Sequence, residues 1–126
     1  MKEEEKIYLK LSGVRGDSSD PHHQGEIELW SYNLNASGSG GNQAEKKYSL
    51  TVVKKRDRLS EFFNQAGNAG QKFDEAVLTV EKTFEKGKMF HSKIYELKPV
   101  RLGFVTSNVE DDLVTLISEE LKVIHV

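Results

Sequence analysis

The sequence contains no cysteine and only two prolines among its 126 residues. Without cysteine the chain has no disulfide, no thiolate nucleophile and no cysteine-based metal site, so packing or assembly must stabilise it. A long hydrophobic run is missing as well: the longest nearly apolar stretch, residues 113–117, is far below the about 18 residues of a membrane-spanning helix. We therefore predict no membrane insertion.

The chain also lacks an excess of either charge. It has 18 Lys and Arg against 20 Asp and Glu, a formal net charge of -2, whereas nucleic-acid-binding proteins usually carry a basic balance. The one basic cluster, KKRDR at residues 54–58, contains an acid and no aromatic residue, so we interpret it as a solvated turn rather than a phosphate site. We predict no nucleic-acid partner.

The beginning of the sequence does not show the apolar core of a signal peptide. Its first six residues, MKEEEK, are mostly charged and lead directly into a strand pattern, so we expect any export to use another route. The length fits one domain spanning residues 1–126, which buries roughly 65% of the surface of the unfolded chain.

Most apolar residues recur with a period of two, which is typical of β-strands. Residues 7–11, 47–53 and 76–84 alternate in this way, and a turn at 85–88 predicts an antiparallel hairpin with the next strand. Pro99 predicts an edge, bend or bulge because it cannot donate a ladder hydrogen bond. Two segments rich in turn-forming residues, 13–25 and 35–46, are predicted to be loops.

One stretch has helical spacing instead, and it predicts a short α-helix over about residues 58–66. Asp57 is placed to cap its first amides, and Gly67 or Gly70 to end it. We therefore predict a mainly β fold, a small β-barrel or sandwich of six or seven antiparallel strands with one short flanking helix. The helical stripe consists of Leu59, Phe62, Phe63 and Ala66.

The segment GEIELWSYNL, residues 25–34, alternates as a strand but places its largest aromatic side chains on its acidic face. Trp30 and Tyr32 share the parity of Glu26 and Glu28. Three explanations remain open: a bulge that shifts the register, a strand buried on both faces, or a face buried against another subunit. The candidate subunit-interface or lumen residues are Trp30, Ser31, Tyr32 and Asn33.

The loop DSSDPHH, residues 17–23, is the one enzyme-like cluster. His22, His23 and Asp20 could bind zinc in a metal-dependent hydrolase, but they do not have the spacing of known zinc motifs, and Asp20 before Pro21 is a turn former. No nucleophile motif such as GxSxG supports a catalytic triad. We also interpret the acids at 110–112 as a solvated turn, and we predict no catalytic residue, metal site or cofactor.

The order of the motifs resembles the Hcp family, the tube protein of bacterial type VI secretion. The residues that carry the resemblance are IYLKLSGVRGDS, then HxxEI at 23–27, WSY at 30–32 and SGSGG, followed by AVLTVEK at 76–82 and IYELKPV at 94–100. The chain departs from the family in a shorter run before Trp30, an abbreviated glycine-rich loop, and Tyr32 where tryptophan is common.

The resemblance implies a small β-barrel with one helix, six copies closing into a ring, and rings stacking into a tube that carries effectors out of the cell. It implies a structural protein rather than an enzyme, with spike, sheath and effector proteins as partners, held in the bacterial cytoplasm and then secreted without a signal peptide. It also places the loop before HxxEI against a neighbouring ring or subunit. The candidate ring-contact residues are Arg15, Asp17, Asp20, His22 and His23.

Two other functions remain as alternatives. One is a monomeric or dimeric β-barrel that binds a small ligand or a protein partner, and the other is the metal-dependent hydrolase described above. Phage tail-tube proteins share the architecture that the resemblance implies.

Overall fold

The computed structural model describes residues 3–37, 47–84 and 90–125. Most of the predicted glycine-rich loop at 35–46 and the predicted turn at 85–88 lie outside these residues. The described part contains ten strands, one α-helix and one short 3-10 helix. They are β1 (Glu3–Leu11), the 3-10 helix (Pro21–His23), β2 (Ile27–Leu29), β3 (Ser31–Ser37), β4 (Lys47–Lys55), α1 (Ser60–Ala69), β5 (Lys72–Phe73), β6 (Ala76–Phe84), β7 (Phe90–Leu97), β8 (Val100–Ser107), β9 (Asp111–Ser118) and β10 (Leu121–His125).

The strands form two five-stranded antiparallel sheets. Sheet A has the order β10-β7-β6-β1-β2, and sheet B has the order β3-β4-β9-β8-β5. The chain passes between the sheets at short corners, at Trp30 between β2 and β3, at Lys98 and Pro99 between β7 and β8, and at Glu119 and Glu120 between β9 and β10. The predicted mainly β fold with one helix is confirmed. Since no ladder joins the two sheets in the described residues, the architecture is closer to a sandwich than to a closed barrel.

The predicted alternation explains the core. In β1, Ile7, Leu9 and Leu11 point inward, and Leu9 pairs with Ile27 on one side and with Leu78 on the other. Sheet B supplies the opposite wall, where the inward residues of β4 and β9 are also fully buried. Each fully buried aliphatic side chain contributes about 1.5–3 kcal/mol, so period-two patterning on both sheets holds them face to face. These inward residues of sheet B include Leu50, Val52, Val114 and Leu116.

The helix packs on β8 through the predicted stripe. Leu59, Phe63 and Ala66 are buried and Phe62 is half-buried, but the helix spans Ser60–Ala69, later than the predicted 58–66. The Leu59 amide donates to Asp57 Oδ1 at 2.9 Å, and the helix ends at Gly70, which has a left-handed φ of 60°.

Gly67 lies inside the helix, so it does not end it. A Cβ at this position would lie 2.6 Å from Val105 Cγ2. The absence of a side chain therefore lets α1 approach β8 closely.

The structure corrects two sequence interpretations of solvated turns. Lys54 in the basic cluster is only 1% exposed, and Asp112 in the acidic run is 0% exposed. Lys54 Nζ donates to Asp112 Oδ2 at 3.0 Å and to Asp57 Oδ1 at 2.8 Å. Charged residues are almost never fully buried unless paired, and here the pair lies on different strands, where sequence patterns could not reveal it.

Candidate assembly surfaces

The corner at Trp30 explains why the segment of residues 25–34 places Trp30 and Tyr32 at the same parity as two glutamates. Trp30 donates its backbone N–H to the Val53 carbonyl at 2.8 Å, and its side chain is 53% exposed where the chain leaves sheet A for sheet B. Leu29 before it is buried, Ser31 after it is exposed, and Tyr32 then turns toward the inner side of the sheet. The inward parity therefore shifts by one residue, as the register-shift explanation requires.

This shift corrects the assignment of one shared face. Trp30 and Tyr32 do not lie on a common acidic face, because the Tyr32 ring is half-buried with its centroid 6.0 Å from that of Tyr95. Burial and a hydrogen bond with Tyr95 raise the pKa of Tyr32 to about 12. Ser31 and Asn33 do not share the buried face of Ile27 and Leu29 either, because both are exposed.

Ser31 and Asn33 belong instead to a neutral face on the outer side of sheet B. Register places three rows of cross-strand partners on β3, β4 and β9, and Thr51 is at the centre of the grid, with its Oγ1 3.4 Å from Thr115 Oγ1. None of the nine side chains carries a charge, although 30% of the residues in the chain are charged. The rows of the neutral face are Ser31, Val53 and Leu113, then Asn33, Thr51 and Thr115, then Asn35, Ser49 and Ile117.

The predicted ring-contact loop folds back onto its own chain. We call residues 12–26 the docked loop. The Gly16 amide donates to the Gly25 carbonyl at 2.8 Å, and the Ser18 amide donates to the Glu26 carbonyl at 3.0 Å. A Cβ on Gly16 would lie 2.3 Å from the Glu26 carbonyl oxygen, so only glycine permits this close pairing.

His23 anchors the docked loop to the outer face of sheet A. Its ring stacks on Tyr8 with centroids 3.9 Å apart and an interplanar angle of 10°. Nδ1 lies 3.1 Å from Glu26 Oε2, and Nε2 lies 3.0 Å from Glu81 Oε2, although this second contact lacks the angle of a hydrogen bond. A carboxylate can only accept, so Nδ1 must carry the proton of the hydrogen bond with Glu26, and the ring is charged when Nε2 is protonated as well.

The pKa of His23 follows from this arrangement. Burial opposes the charged form, but the carboxylates of Glu81 and Glu26 outweigh it, so the pKa of His23 is raised above its ordinary 6.5. The two carboxylates thus favour the charged form of the His23 ring.

Two further residues of the loop also bind their own chain. Tyr8 donates its hydroxyl to Asp20 Oδ2 at 3.0 Å, and the His22 backbone amide donates to Asp20 Oδ1 at 2.9 Å. Hydrogen bonds from the His22 amide and the Tyr8 hydroxyl lower the pKa of Asp20. Arg58 donates two hydrogen bonds to the carboxylate of Asp17, from Nε to Oδ2 at 2.9 Å and from Nη2 to Oδ1 at 2.8 Å.

The candidate loop residues therefore divide into two groups. Asp17, Asp20 and His23 hold the loop in place, whereas the side chains of Arg15 and His22 are exposed. The sequence pattern gave the spacing of the HxxE pair but no sign of Glu81, which approaches from β6.

The residues of the hydrolase hypothesis do not form a metal centre. Both ring nitrogens of His23 face carboxylates, and His22 approaches Asp20 through its backbone amide. Across 3–37, 47–84 and 90–125, no group of three or more His, Asp or Glu side chains is placed to hold a metal ion. In the same residues no helix has the length and apolarity to cross a membrane.

Comparison with known protein families shows the family of this chain. A family model described as "Type VI secretion system effector, Hcp" matches residues 8–122. The chain belongs to the Hcp family. This family forms the tubes of type VI secretion systems, so the resemblance seen in the motif order is confirmed. None of the curated proteins compared with the chain matches it.

Solved structures share the fold at low identity. Hcp1 from Salmonella typhimurium has a TM-score of 0.75 at 22% identity, over 97% of this chain and 86% of that one. Hcp3 from Pseudomonas aeruginosa has a TM-score of 0.66 at 10% identity, over 97% of both chains. The cap that terminates the tube of an anti-feeding prophage has a TM-score of 0.52 at 12% identity, over 95% of this chain and 88% of that one.

Proposed function

We propose that six copies of this chain close into a ring, and that the rings stack into a type VI secretion tube whose lumen is lined by the neutral face. The role is structural and non-catalytic. The observation that carries the proposal is the nine-residue neutral face on sheet B, directly beside the exposed Trp30.

The chemistry of the neutral face suits a channel for varied cargo. Hydroxyl and amide side chains such as Asn33, Thr51 and Thr115 hold water and offer hydrogen bonds in both directions without a fixed charge. A fixed charge would attract one class of cargo and repel another. The part of the lumen that the neutral face lines would favour neither class.

The edge of sheet B suits a subunit contact. β3 pairs only with β4 in the described residues, so one side of this seven-residue strand has unpaired backbone groups. Such an edge is a template for pairing with another chain, and Trp30 at its start supplies an aromatic anchor. We infer that a neighbouring copy covers this edge and continues the neutral face around the ring.

The family relationship supports the partners and the location. We propose that the tube engages spike, sheath and effector proteins, and that the chain remains in the bacterial cytoplasm until it is secreted with the tube. The exposed Arg15 and His22 of the docked loop are proposed to contact a neighbouring ring or subunit.

The first test is the absolute mass of the purified protein by light scattering after gel filtration at several concentrations. Six chains of 14.3 kDa give roughly 86 kDa, and we expect this mass or stacks of it. A monomer at all concentrations would contradict the ring and favour the alternative of a binding module.

The second test replaces Trp30 with Asp. We expect Trp30→Asp to retain the β-type circular dichroism of the parent but to shift the mass from the ring toward the monomer, because a buried charge would replace the aromatic anchor. Lys10→Asp, an exposed change on sheet A, is the control. An unchanged ring mass in Trp30→Asp would remove Trp30 from the interface.

A further inference from the structure

A turn between β8 and β9, residues 108–110, presents an apolar side chain directly to solvent. Val109 is 91% exposed, the highest value among the exposed large apolar residues of the described part of the chain, and Glu110 beside it is exposed too. We call this turn the β8–β9 tip. An apolar side chain on a rigid turn becomes an anchor where a partner offers a matching cleft.

The β8–β9 tip is held rigidly. Arg56 donates its backbone N–H to the Glu110 carbonyl at 3.0 Å and its Nη1 to the Asn108 carbonyl at 2.9 Å. The Asn108 amide also donates to the Asp111 carbonyl at 2.8 Å. Because these bonds fix the backbone before any contact forms, little conformational entropy would be lost on docking.

A cleft of about 280 Å³ lies at the opposite end of the same strands. We call it the basic cleft. Pro99 and Ile117 contribute apolar surface to it, and its charged lining in the described residues is three cations and one carboxylate. These charged residues are Lys47, Lys72, Arg101 and Glu119.

The tip and the cleft lie at opposite ends of β8 and β9, so a contact between the tip of one copy and the cleft of the next extends along the strand direction. β8 runs from Val100 at the cleft to Ser107 at the tip, and β9 runs back from Asp111 to Ser118. The seven steps of β9 separate the two features by roughly 23 Å. A contact between different patches on two copies is heterologous, and one that advances along the strands repeats as an open stack.

We propose that the β8–β9 tip of one copy docks in the basic cleft of a copy in the next ring, an inference that rests on the proposed tube. Val109 contacts the apolar surface formed by Pro99 and Ile117, and the Glu110 carboxylate pairs with the cations of the cleft. The acid–base complementarity of the two patches favours a second copy of this chain as the occupant. One such contact is small, but six in register act together, so rings stack where free chains do not.

The absence of native cysteine permits a direct cross-linking test. In the double variant Val109→Cys/Glu119→Cys, both new thiols are on exposed positions just beyond opposite ends of β9. A disulfide needs Cα atoms within about 7 Å, so the two thiols of one chain cannot pair with each other. Under mild oxidation we expect a ladder of linked chains that extends beyond six on a non-reducing gel and collapses on reduction.

The matched control is Val109→Cys/Lys10→Cys, which keeps the tip thiol and moves the second to sheet A. A ladder no longer than that of the control would overturn the proposal. A ladder that ends at six would place the contact around the ring and would also overturn it. A disulfide forms whenever the tip of one copy meets the cleft of another. The test therefore detects this contact even if the purified protein does not form stable rings.

Charge reversal separates this inference from the proposed ring. We expect Glu110→Lys to keep the roughly 86 kDa ring but to reduce the species above one ring by about tenfold or more. Glu110→Lys/Lys72→Glu restores the pair and should restore stacking. Stacks that survive Glu110→Lys unchanged would contradict the docking, whereas loss of the ring in the parent protein would contradict the proposed function instead.

Discussion

Lys54 and Asp112 form an ion pair beneath α1, with Nζ 3.0 Å from Oδ2 and both side chains buried. Ser60 Oγ donates to Asp112 Oδ2 at 2.5 Å, and Ser107 Oγ donates to Oδ1 at 2.6 Å. The pair thus joins β4, β9, β8 and the first turn of α1, and it fixes the helix on sheet B.

Removing one partner of this pair should destabilise the fold. Lys54→Met leaves the Asp112 carboxylate buried without its cation, and a broken buried pair costs about 3–5 kcal/mol of unfolding free energy. Urea denaturation of the parent and the variant measures the loss. Arg58→Met, at an exposed pair with Asp17, is the control and should have a smaller effect. Equal losses for the two variants would contradict the role assigned to Lys54.

The carboxylate of Asp112 should also make the free energy of unfolding depend on pH in the acid range. Burial disfavours the charged form of Asp112, but hydrogen bonds from Ser107, Ser60 and Lys54 outweigh it and lower its pKa below the ordinary 3.8. Its contribution is therefore complete above pH 3.8 and is lost as the pH falls through the pKa of the folded state. We expect the stability gap between the parent and Asp112→Asn to narrow below about pH 4 in denaturation curves. A constant gap from pH 3 to pH 7 would contradict this assignment.

The contribution of His23 to stability should depend on pH in the opposite direction, with a loss as the pH rises. Its raised pKa means that its ion pairs stabilise the docked loop fully below pH 6.5 and lose this effect as the pH rises through the pKa of the folded state. Amide exchange of residues 16–26 should therefore accelerate from pH 6 to pH 9 beyond the intrinsic base-catalysed increase. His23→Gln should remove the extra dependence, and the exposed His22→Gln should retain it. An NMR titration midpoint for His23 below 6.5 would refute the prediction.

A helical glycine should resist the usual stabilising replacement. Gly→Ala within a helix normally stabilises by about 0.5–1 kcal/mol. At Gly67 the new Cβ would lie 2.6 Å from Val105 Cγ2, so we expect Gly67→Ala to destabilise by about 1–3 kcal/mol.

Thermal or urea denaturation tests the sign of this change. Adding Val105→Ala should lower the cost of Gly67→Ala because it removes the clashing methyl group. Asn68→Ala, on the exposed side of the helix, is the control. A stabilised Gly67→Ala protein would show that α1 can move away from β8.

Local patterns anticipated much of the fold because each depends on near neighbours. Alternation in β1 and the stripe of Leu59, Phe63 and Ala66 were visible in the sequence, and both point to the core. The helix nevertheless begins at Ser60, because Asp57 caps the turn before it rather than the helix itself. Of the two glycines predicted to end the helix, Gly70 does so, whereas Gly67 lies inside it, and the contact that requires Gly67 comes from β8.

The sequence by itself determined the mainly β class, the one amphipathic helix and, through its motif order, membership of the Hcp family. These depend on periodicity and on ordered short motifs, which are local. The tertiary structure decided that Trp30 is a corner, that nine neutral side chains meet on one face, and that Lys54 pairs with Asp112 across 58 residues. Each of these depends on which strands become neighbours, and strand pairing is set by burial across the whole chain rather than by any one segment.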